Sequence, residues 1–291
     1  MYIANRWQDY ELMDAGSGDK LERWGDYILQ RPDPQAIWPH DQWPKPDALY
    51  LRDGGGGRWQ ARRPLPKTWQ IRYPGLYGDL VFQVEPTGFK HTGLFPEQAA
   101  NWDFTSRIIH QAKEQGRTVR VLNLFAYTGG ATVASAMAGA DEVVHLDASK
   151  GMVSWARQNV QLSGLGDCYI RYIVDDVLKF VEREIRRGRH YDGIIMDPPA
   201  YGRGPNGELW KIEDSLYDLI DRCSRLLSDQ PLFFIINAYS NGLSPAVAAN
   251  MLSLVISSRY GGQAEAEELA LPVSRRPLFL PCGFTGRWTG A

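Results

Sequence analysis

Three apolar runs in this chain end in carboxylates. Val143-Val-His-Leu leads to Asp147, a run ending at Val174 leads to Asp175 and Asp176, and Gly193-Ile-Ile-Met leads to Asp197-Pro-Pro199. A fourth run, Val121-Leu-Asn-Leu, ends in Phe125-Ala-Tyr-Thr-Gly-Gly130. A glycine turn lets backbone approach a ligand, and a carboxylate at the end of the next run can accept both hydroxyls of a ribose. The layout is that of a nucleoside pocket. The turn lacks the Gly-x-Gly-x-x-Gly spacing of dinucleotide sites, so a nucleoside without a pyrophosphate fits better. S-adenosylmethionine is the commonest such ligand on this architecture.

Four segments are expected to converge on the ligand. Phe125, Ala126, Tyr127, Thr128 and Gly129 offer backbone to an amino-acid moiety. Asp147 takes the ribose, with Ala148 and Ser149 against the adenine. One of Asp175 and Asp176, ahead of Val177, accepts from the adenine amine, and Asp176 is favoured because it directly precedes a helix. Asp197 closes the set. Each has a structural alternative: the glycines can be a plain strand-to-helix turn, and Asp147 and one of the paired aspartates can be helix N-caps.

Asp197-Pro198-Pro199 is the sharpest motif for chemistry. Two prolines cannot continue a central strand and lock a rigid turn. Rigid backbone fixes the Asp197 carboxylate and nearby carbonyls as acceptors for a planar amine or ring, and Tyr201 can stack on a base. Gly202, Gly204 and Gly207 make the loop to Trp210 a candidate lid.

These groups need a scaffold, and the pattern after Arg117 supplies one. Strands are expected at 120–125, 142–147, 169–174, 193–197 and 232–237, with helices at 131–138, 150–163, 177–187, 213–227 and 245–258. Such alternation means a parallel sheet covered on both faces. Segments 262–269 and 277–281 read as two closing strands with no helix between them.

The first 98 residues differ in texture. They hold six of the ten tryptophans and frequent prolines, which disfavour long helices. Short strands are expected at 47–52, 58–63, 68–73 and 80–85, with Asp53-Gly-Gly-Gly-Gly57 as a hairpin loop. Arg52, Arg58, Arg62, Arg63, Lys67 and Arg72 are opposed only by Asp53 and interleaved with Trp59, Trp69 and Tyr73. Basic plus aromatic is a footprint of RNA contact; solvated strands with inward aromatics give the same pattern.

Composition sets outer bounds. The 291 residues are 44% hydrophobic and 23% charged, enough for a sizeable core, and net charge is -2, so nucleic-acid binding must rest on a local patch. No apolar leader or membrane-length run is visible. Cys168, Cys223 and Cys282 show no metal-ligand spacing, and a reduced, cytoplasmic protein is expected.

Thr92-Gly-Leu-Phe-Pro-Glu-Gln98, Val121-Leu-Asn-Leu-Phe-Ala-Tyr-Thr-Gly-Gly130 and Asp197-Pro-Pro199 together resemble the class I methyltransferases related to the ribosomal large-subunit RNA methyltransferase I family. The resemblance runs from Thr92 to the end. It implies an α/β, Rossmann-like fold with a mostly parallel seven-stranded sheet and terminal β-hairpin, S-adenosylmethionine as cofactor, and a place for Gln98 beside it. Residues 1–98 then form a smaller β-rich domain with a possible recognition role, unlike the PUA domain of founding members, and 99–291 the cofactor-binding domain. In that family a cysteine after the fifth core strand serves cytosine carbon-5 transfer; here the segment is Ile236-Asn-Ala-Tyr-Ser-Asn241. Without that thiolate, transfer to a nitrogen of an RNA base is favoured, with a small molecule or protein side chain as the alternative acceptor.

Overall fold

The computed structural model describes residues 1–53, 56–88, 90–203, 209–240 and 242–290. The chain opens with β1 (Tyr2–Ile3), β2 (Tyr10–Gly16), β3 (Asp19–Trp24), β4 (Tyr27–Pro32), β5 (Ala48–Asp53), β6 (Gly56–Ala61), β7 (Trp69–Pro74) and β8 (Asp79–Val84). Helix α1 (Ala99–Glu114) follows, then β9 (Arg120–Leu124), α2 (Gly130–Met137), β10 (Glu142–Asp147), α3 (Lys150–Leu162), β11 (Ile170–Val174), α4 (Val177–Arg186) and β12 (Gly193–Met196). A short pair, β13 (Tyr201–Arg203) and β14 (Leu209–Lys211), precedes α5 (Ile212–Ser224), β15 (Phe233–Ala238), α6 (Pro245–Leu252), β16 (Gln263–Val273) and β17 (Leu278–Thr289).

The central strands run β11-β10-β9-β12-β15-β17-β16. All are parallel except β17, which is antiparallel to both neighbours. This is the expected seven-stranded sheet with its terminal hairpin. Strand order reverses direction between β9 and β12, where open α/β sheets place ligands beyond the strands' carboxyl ends. Local signals are consistent with it: β9, β10, β12 and β15 are almost wholly buried, as doubly covered strands must be. Ser149 and Asp176 cap α3 and α4 by accepting from Met152 N and Lys179 N.

The hairpin strands are longer than the sequence suggests. A register shift between Glu268 and Ala270 opposes the stretch holding Cys282 and Gly283. Gly283 has φ 82°, and a Cβ there would sit 2.4 Å from the Ala238 carbonyl. The bulge lets β17 continue past a glycine that otherwise reads as a strand end.

The sheet does not stop at β16. Val273 pairs in parallel with Leu12, and the order continues β2-β3-β4-β5-β6. The β5–β6 register from Ala48↔Ala61 to Asp53↔Gly56 confirms the hairpin; Gly54 and Gly55 of its loop lie outside the described residues. The β7–β8 pair packs on the helical layer, where Gln83 N donates to Asn159 Oδ1 at 2.9 Å and Trp155 Nε1 to Gln83 O at 3.1 Å. One apolar cluster joins Leu12, Trp24 and Phe82 to Trp102, Val133 and Leu280. Packing therefore continues across residue 98, where composition changes.

Besides the two- and three-residue strands β1, β13 and β14, the longer β2, β3 and β4 escaped the sequence pattern; these last three are the informative misses. They carry buried polar groups that break the alternation. Glu22 is fully buried and takes two bonds from Arg31, at 2.6 and 2.8 Å, and one from the Tyr10 hydroxyl. The Arg31 guanidinium and Lys20 hold the Glu22 carboxyl down at about 2 against the cost of burial. Removing one partner of such a pair strands the other charge. Glu22→Ala should therefore lower unfolding free energy by about 3 kcal/mol, read from urea denaturation at pH 7. The wild-type margin should shrink as pH falls from about 4.5 toward 2, because protonating Glu22 does what the substitution does.

Candidate active site

Backbone strain marks the turn after β9. Among the described residues, positive φ at non-glycine positions occurs at Ser17, Phe125 (54°) and Tyr127 (49°). Left-handed backbone costs about 1–3 kcal/mol per residue and persists where surroundings fix it. Here they do. Ala126 N donates to Leu146 O at 3.0 Å, Asn159 Nδ2 to Thr128 O at 2.8 Å, and Thr128 Oγ1 to Gly93 O at 2.6 Å. Gly129, at φ 86°, directly precedes α2 in cap position, and a Cβ on it would lie 2.9 Å from that of Ala156. A Cβ on Gly130 would strike the Trp102 ring at 2.5 Å. The two glycines thus admit protein neighbours.

Asp147 is the strongest of these restraints. Its Oδ2 accepts from Tyr127 N at 2.9 Å and its Oδ1 from Ser149 N at 2.8 Å. Ser149, not Asp147, caps α3. Burial raises the Asp147 carboxyl despite these two amides, and each oxygen keeps a lone pair. Asp175 is more fully engaged: Oδ1 accepts from Asp176 N and Oδ2 pairs with Arg183 at 2.7 Å. Asp176 uses Oδ1 for its cap at 3.0 Å, and its Oδ2 takes no hydrogen bond from the described residues. The Val177 side chain is buried in the core beneath α4, leaving only backbone toward a ligand.

A narrow cleft of about 50 Å³, open to solvent, lies at the ends of β9, β12 and β15. Gln98, Phe125, Ala126, Tyr127, Thr128 and Asp197 line it, as expected. Gly129, Asp147, Ala148, Ser149, Asp175, Asp176, Pro198, Pro199 and Tyr201 are not part of that lining. Leu94, Phe95, Asn101, Asn123 and Asn237 are, and the sequence reading assigned them nothing. Asn101, in the first turn of α1, follows Gln98 by three residues. Its Nδ2 lies 2.9 Å from Gln98 Oε1, Asn237 Oδ1 and Thr285 Oγ1, while Arg287 donates to its Oδ1 at 2.8 Å. Gln98 Nε2 in turn donates to the Tyr239 hydroxyl at 2.8 Å.

Asp197 follows β12, and its carboxylate accepts no hydrogen bond from the described residues. Burial, reinforced by the nearby Glu97 carboxylate, pushes it up to about 7. Pro198 is buried, while Pro199 and Tyr201 are exposed. The Pro199 carbonyl accepts from Trp210 Nε1 at 2.6 Å, and the Trp210 ring lies 6.3 Å from that of Phe125. The β13–β14 pair thereby braces the diproline turn. Gly204 and Gly207 of the candidate lid lie outside the described residues.

The basic stretch divides in two. Arg63 pairs with Asp47 at 2.6 Å and Arg72 with Asp79 at 2.7 Å. Arg52, Arg58, Arg62 and Lys67 form no ion pair among the described residues and are exposed. The interleaved aromatics turn inward: Trp59 Nε1 donates to Thr87 O, Trp69 Nε1 to Trp24 O, and the Tyr73 hydroxyl to Asp103. These bonds hold the polar ring atoms inside the protein, while the rings of Trp59 and Trp69 stay half-buried.

Comparison with known proteins agrees with this geometry. A model of the S-adenosylmethionine-dependent methyltransferases matches residues 49–239. The chain belongs to that family. A crystal structure of a methyltransferase of this kind from Agrobacterium tumefaciens superposes with a TM-score of 0.90 at 36% identity, covering 99% of this chain and 92% of that one. The ribosomal RNA large subunit methyltransferase K/L of Syntrophotalea carbinolica is 34% identical over 158 residues, 54% of this chain and 21% of that protein. The methyltransferase I of Erwinia tasmaniensis is 40% identical over 120 residues, 41% and 28% respectively. This methyltransferase thus spans only 21–28% of the length of these two curated relatives. Among the described residues, no helix is long and apolar enough to cross a membrane.

Two measurements check the site. Asp147→Ala should weaken S-adenosylhomocysteine binding in titration calorimetry by roughly 10- to 100-fold, the value of hydrogen bonds to a charged acceptor; unchanged affinity would remove Asp147 from the pocket. For Asp197, the native carboxyl holds its proton to about 7 while the unfolded one releases it near 3.8. Stability contributed by this group is present at low pH and lost as pH rises between those values. Each pH unit corresponds to about 1.4 kcal/mol, and partial solvent contact lowers the realised total to roughly 2 kcal/mol. Asp197→Asn should be more stable than wild type by that amount at pH 8 and equal to it near pH 4.

Proposed function

We propose that this methyltransferase acts on RNA, placing its methyl group on a nitrogen of a ribosomal RNA base. The observation that carries the choice of nitrogen is the chemistry at the end of β12 and β15: a half-buried carboxylate with no hydrogen-bond donor to it among the described residues, and no activated thiol there. The segment Ile236–Asn241 at the end of β15, where carbon-5 enzymes of the resembled family place their cysteine, holds none. Burial pushes the thiols of Cys223 and Cys282 well above the ordinary range, and a thiol that stays protonated does not add to a pyrimidine ring. The names of the two ribosomal relatives support RNA as the acceptor class.

S-adenosylmethionine, when bound, supplies a methyl group already activated on a sulfonium. Asp147, with lone pairs left over from its two backbone partners, would hold the ribose. The Oδ2 of Asp176 would accept from the adenine amine. The Phe125–Gly129 backbone and Gln98 would face the amino-acid moiety. What remains for the protein is alignment and exclusion of water, which carry most of the rate when the transferred group needs no further activation. Asp197, fixed by the diproline turn and by Asp197 N donating to Leu124 O, would accept from the attacking nitrogen, with Tyr201 beside it.

Residues 1–98 would serve recognition. Arg52, Arg58, Arg62 and Lys67 give phosphates a local attraction that net charge does not. In wild type, methyl from labelled cofactor should enter the RNA fraction of a cell extract rather than protein or small metabolites. Incorporation confined to metabolites would replace the RNA reading. Reversing charge at Arg58 and Arg62 should weaken RNA binding and lower the slope of log affinity against log salt by about one per lost contact. Affinity indifferent to that change would exclude the β5–β6 ribbon from the interface.

A further inference from the structure

A row of buried amides runs from the cleft to a buried cation. Thr285 and Arg287 sit two residues apart on β17 and so share a face, and the register with β15 sets Asn237 opposite Thr285. Asn101, in the first turn of α1, packs onto that face. The Arg287 guanidinium donates to Asn101 Oδ1 from Nε at 3.1 Å and from Nη2 at 2.8 Å. Asn101 Nδ2 faces three oxygens at 2.9 Å: Gln98 Oε1, Asn237 Oδ1 and Thr285 Oγ1. The Thr285 hydroxyl donates to Asn237 Oδ1 at 2.7 Å.

Every bond in this row has a direction, and the guanidinium decides it. A carboxamide can turn over and exchange donor for acceptor, whereas a guanidinium only donates. With Arg287 at the end, Asn101 must give its oxygen to the cation and its nitrogen to the other side. Asn237 and Gln98 must then give their oxygens inward. The nitrogen of each is the atom left for the cleft, which both residues line. Asn237 Nδ2 has no hydrogen-bond partner among the described residues. Gln98 Nε2 gives one hydrogen to the Tyr239 hydroxyl at 2.8 Å and keeps the other.

Charge points the same way. Arg287 is 6% exposed and forms no ion pair among the described residues. Glu265, an acid that acts on it, accepts instead from the Tyr2 hydroxyl at 2.7 Å. Burial lowers the guanidinium only to about 10, so it stays charged at neutral pH. A buried cation without a counter-charge favours an anion nearby.

We infer that Arg287 is a positioning residue that fixes the direction of this row, so that Asn237 and Gln98 turn amide N–H groups into the cleft to receive the α-carboxylate of the cofactor's amino-acid moiety. The inference rests on the placement of that moiety proposed above and adds Asn101, Asn237 and Arg287 to what holds it. A carboxylate accepts from both amides at once, and hydrogen bonds to a charged acceptor are the strong ones. An ammonium, which only donates, would meet two donors there.

Titration calorimetry on the full chain tests this with three ligands. S-adenosylhomocysteine carries the carboxylate; its decarboxylated analogue has a 3-aminopropyl chain instead; methylthioadenosine lacks the whole amino-acid moiety. Wild type should prefer S-adenosylhomocysteine to the decarboxylated analogue by roughly 10- to 100-fold. Arg287→Met should cut that preference by roughly 10-fold and leave methylthioadenosine affinity unchanged, which also shows that the variant is folded. Arg287→Lys, still a pure donor, should keep most of the preference. Asn237→Asp retains an oxygen for Asn101 and replaces the outward NH2 by a second oxygen, so it should abolish the preference without touching the guanidinium. The side-chain amide signal of Asn237 in nitrogen-15 NMR should shift when S-adenosylhomocysteine is added and stay in place with the decarboxylated analogue.

A preference that survives Asn237→Asp, or an Asn237 amide that answers both ligands alike, overturns the carboxylate site. Equal weakening of all three ligands by Arg287→Met, or equal loss of preference in Arg287→Lys, overturns the positioning role. Failure of wild type to bind any of the three would instead remove the cofactor pocket as placed above. None of these readings depends on RNA labelling.

Discussion

The site depends on one carboxylate holding two strand ends together. Asp147 terminates β10, yet its side chain serves the neighbouring turn by accepting from Tyr127 N as well as from Ser149 N. Without that acceptor the amide of Tyr127, in left-handed conformation, would lose its partner inside a half-buried turn. With it, the crossing from β9 into α2 is fixed at Phe125, Tyr127 and Gly129, and the cleft floor is fixed with it. A residue that reads from sequence as a ligand for ribose is thus already a structural element of the pocket. Both roles are available to the same group because a carboxylate has more lone pairs than the backbone consumes.

A second layer of polar contacts carries this order to the far side of the cleft. Gln98, Asn101, Asn237, Thr285 and Arg287 link α1 to β15 and β17 through buried hydrogen bonds. Buried amides are costly when unsatisfied and restrictive when satisfied, so the ladder ties the closing hairpin to the wall of the pocket. Arg287 illustrates the cost. Burial lowers its guanidinium to about 10, and the Tyr2 and Phe104 rings lie 3.5 and 4.2 Å from its carbon, taking the place of solvent.

The sequence disclosed the central strands, the paired helices and the acids at strand ends, because buried parallel strands are continuous apolar runs and their ends are abrupt. It missed β2, β3 and β4, whose buried Glu22, Arg31 and Tyr10 interrupt any period-two pattern. It also missed α1, which lies between two textures and begins without a side-chain cap. In the site, Asp197 and Gln98 stood out because motifs framed them. Phe95, Asn101, Asn237 and Tyr239 did not. Their importance arises from a meeting of segments more than a hundred residues apart, which no local spacing records. The spacing of the aromatic residues in the basic stretch did not record that their indole and phenol donors find carbonyl and carboxylate partners inside the protein.

The junction of β16 with β2 has a mechanical consequence. Because the N-terminal strands continue the central sheet and share its apolar packing, the two regions form one spar instead of two jaws on a hinge. A clamshell rotation between them would have to break the β2–β16 pairing and the shared packing of Leu12, Val273 and Leu280. The β13–β14 ribbon stands apart from that beam, meeting it at the diproline turn through the bond from Trp210 to the Pro199 carbonyl.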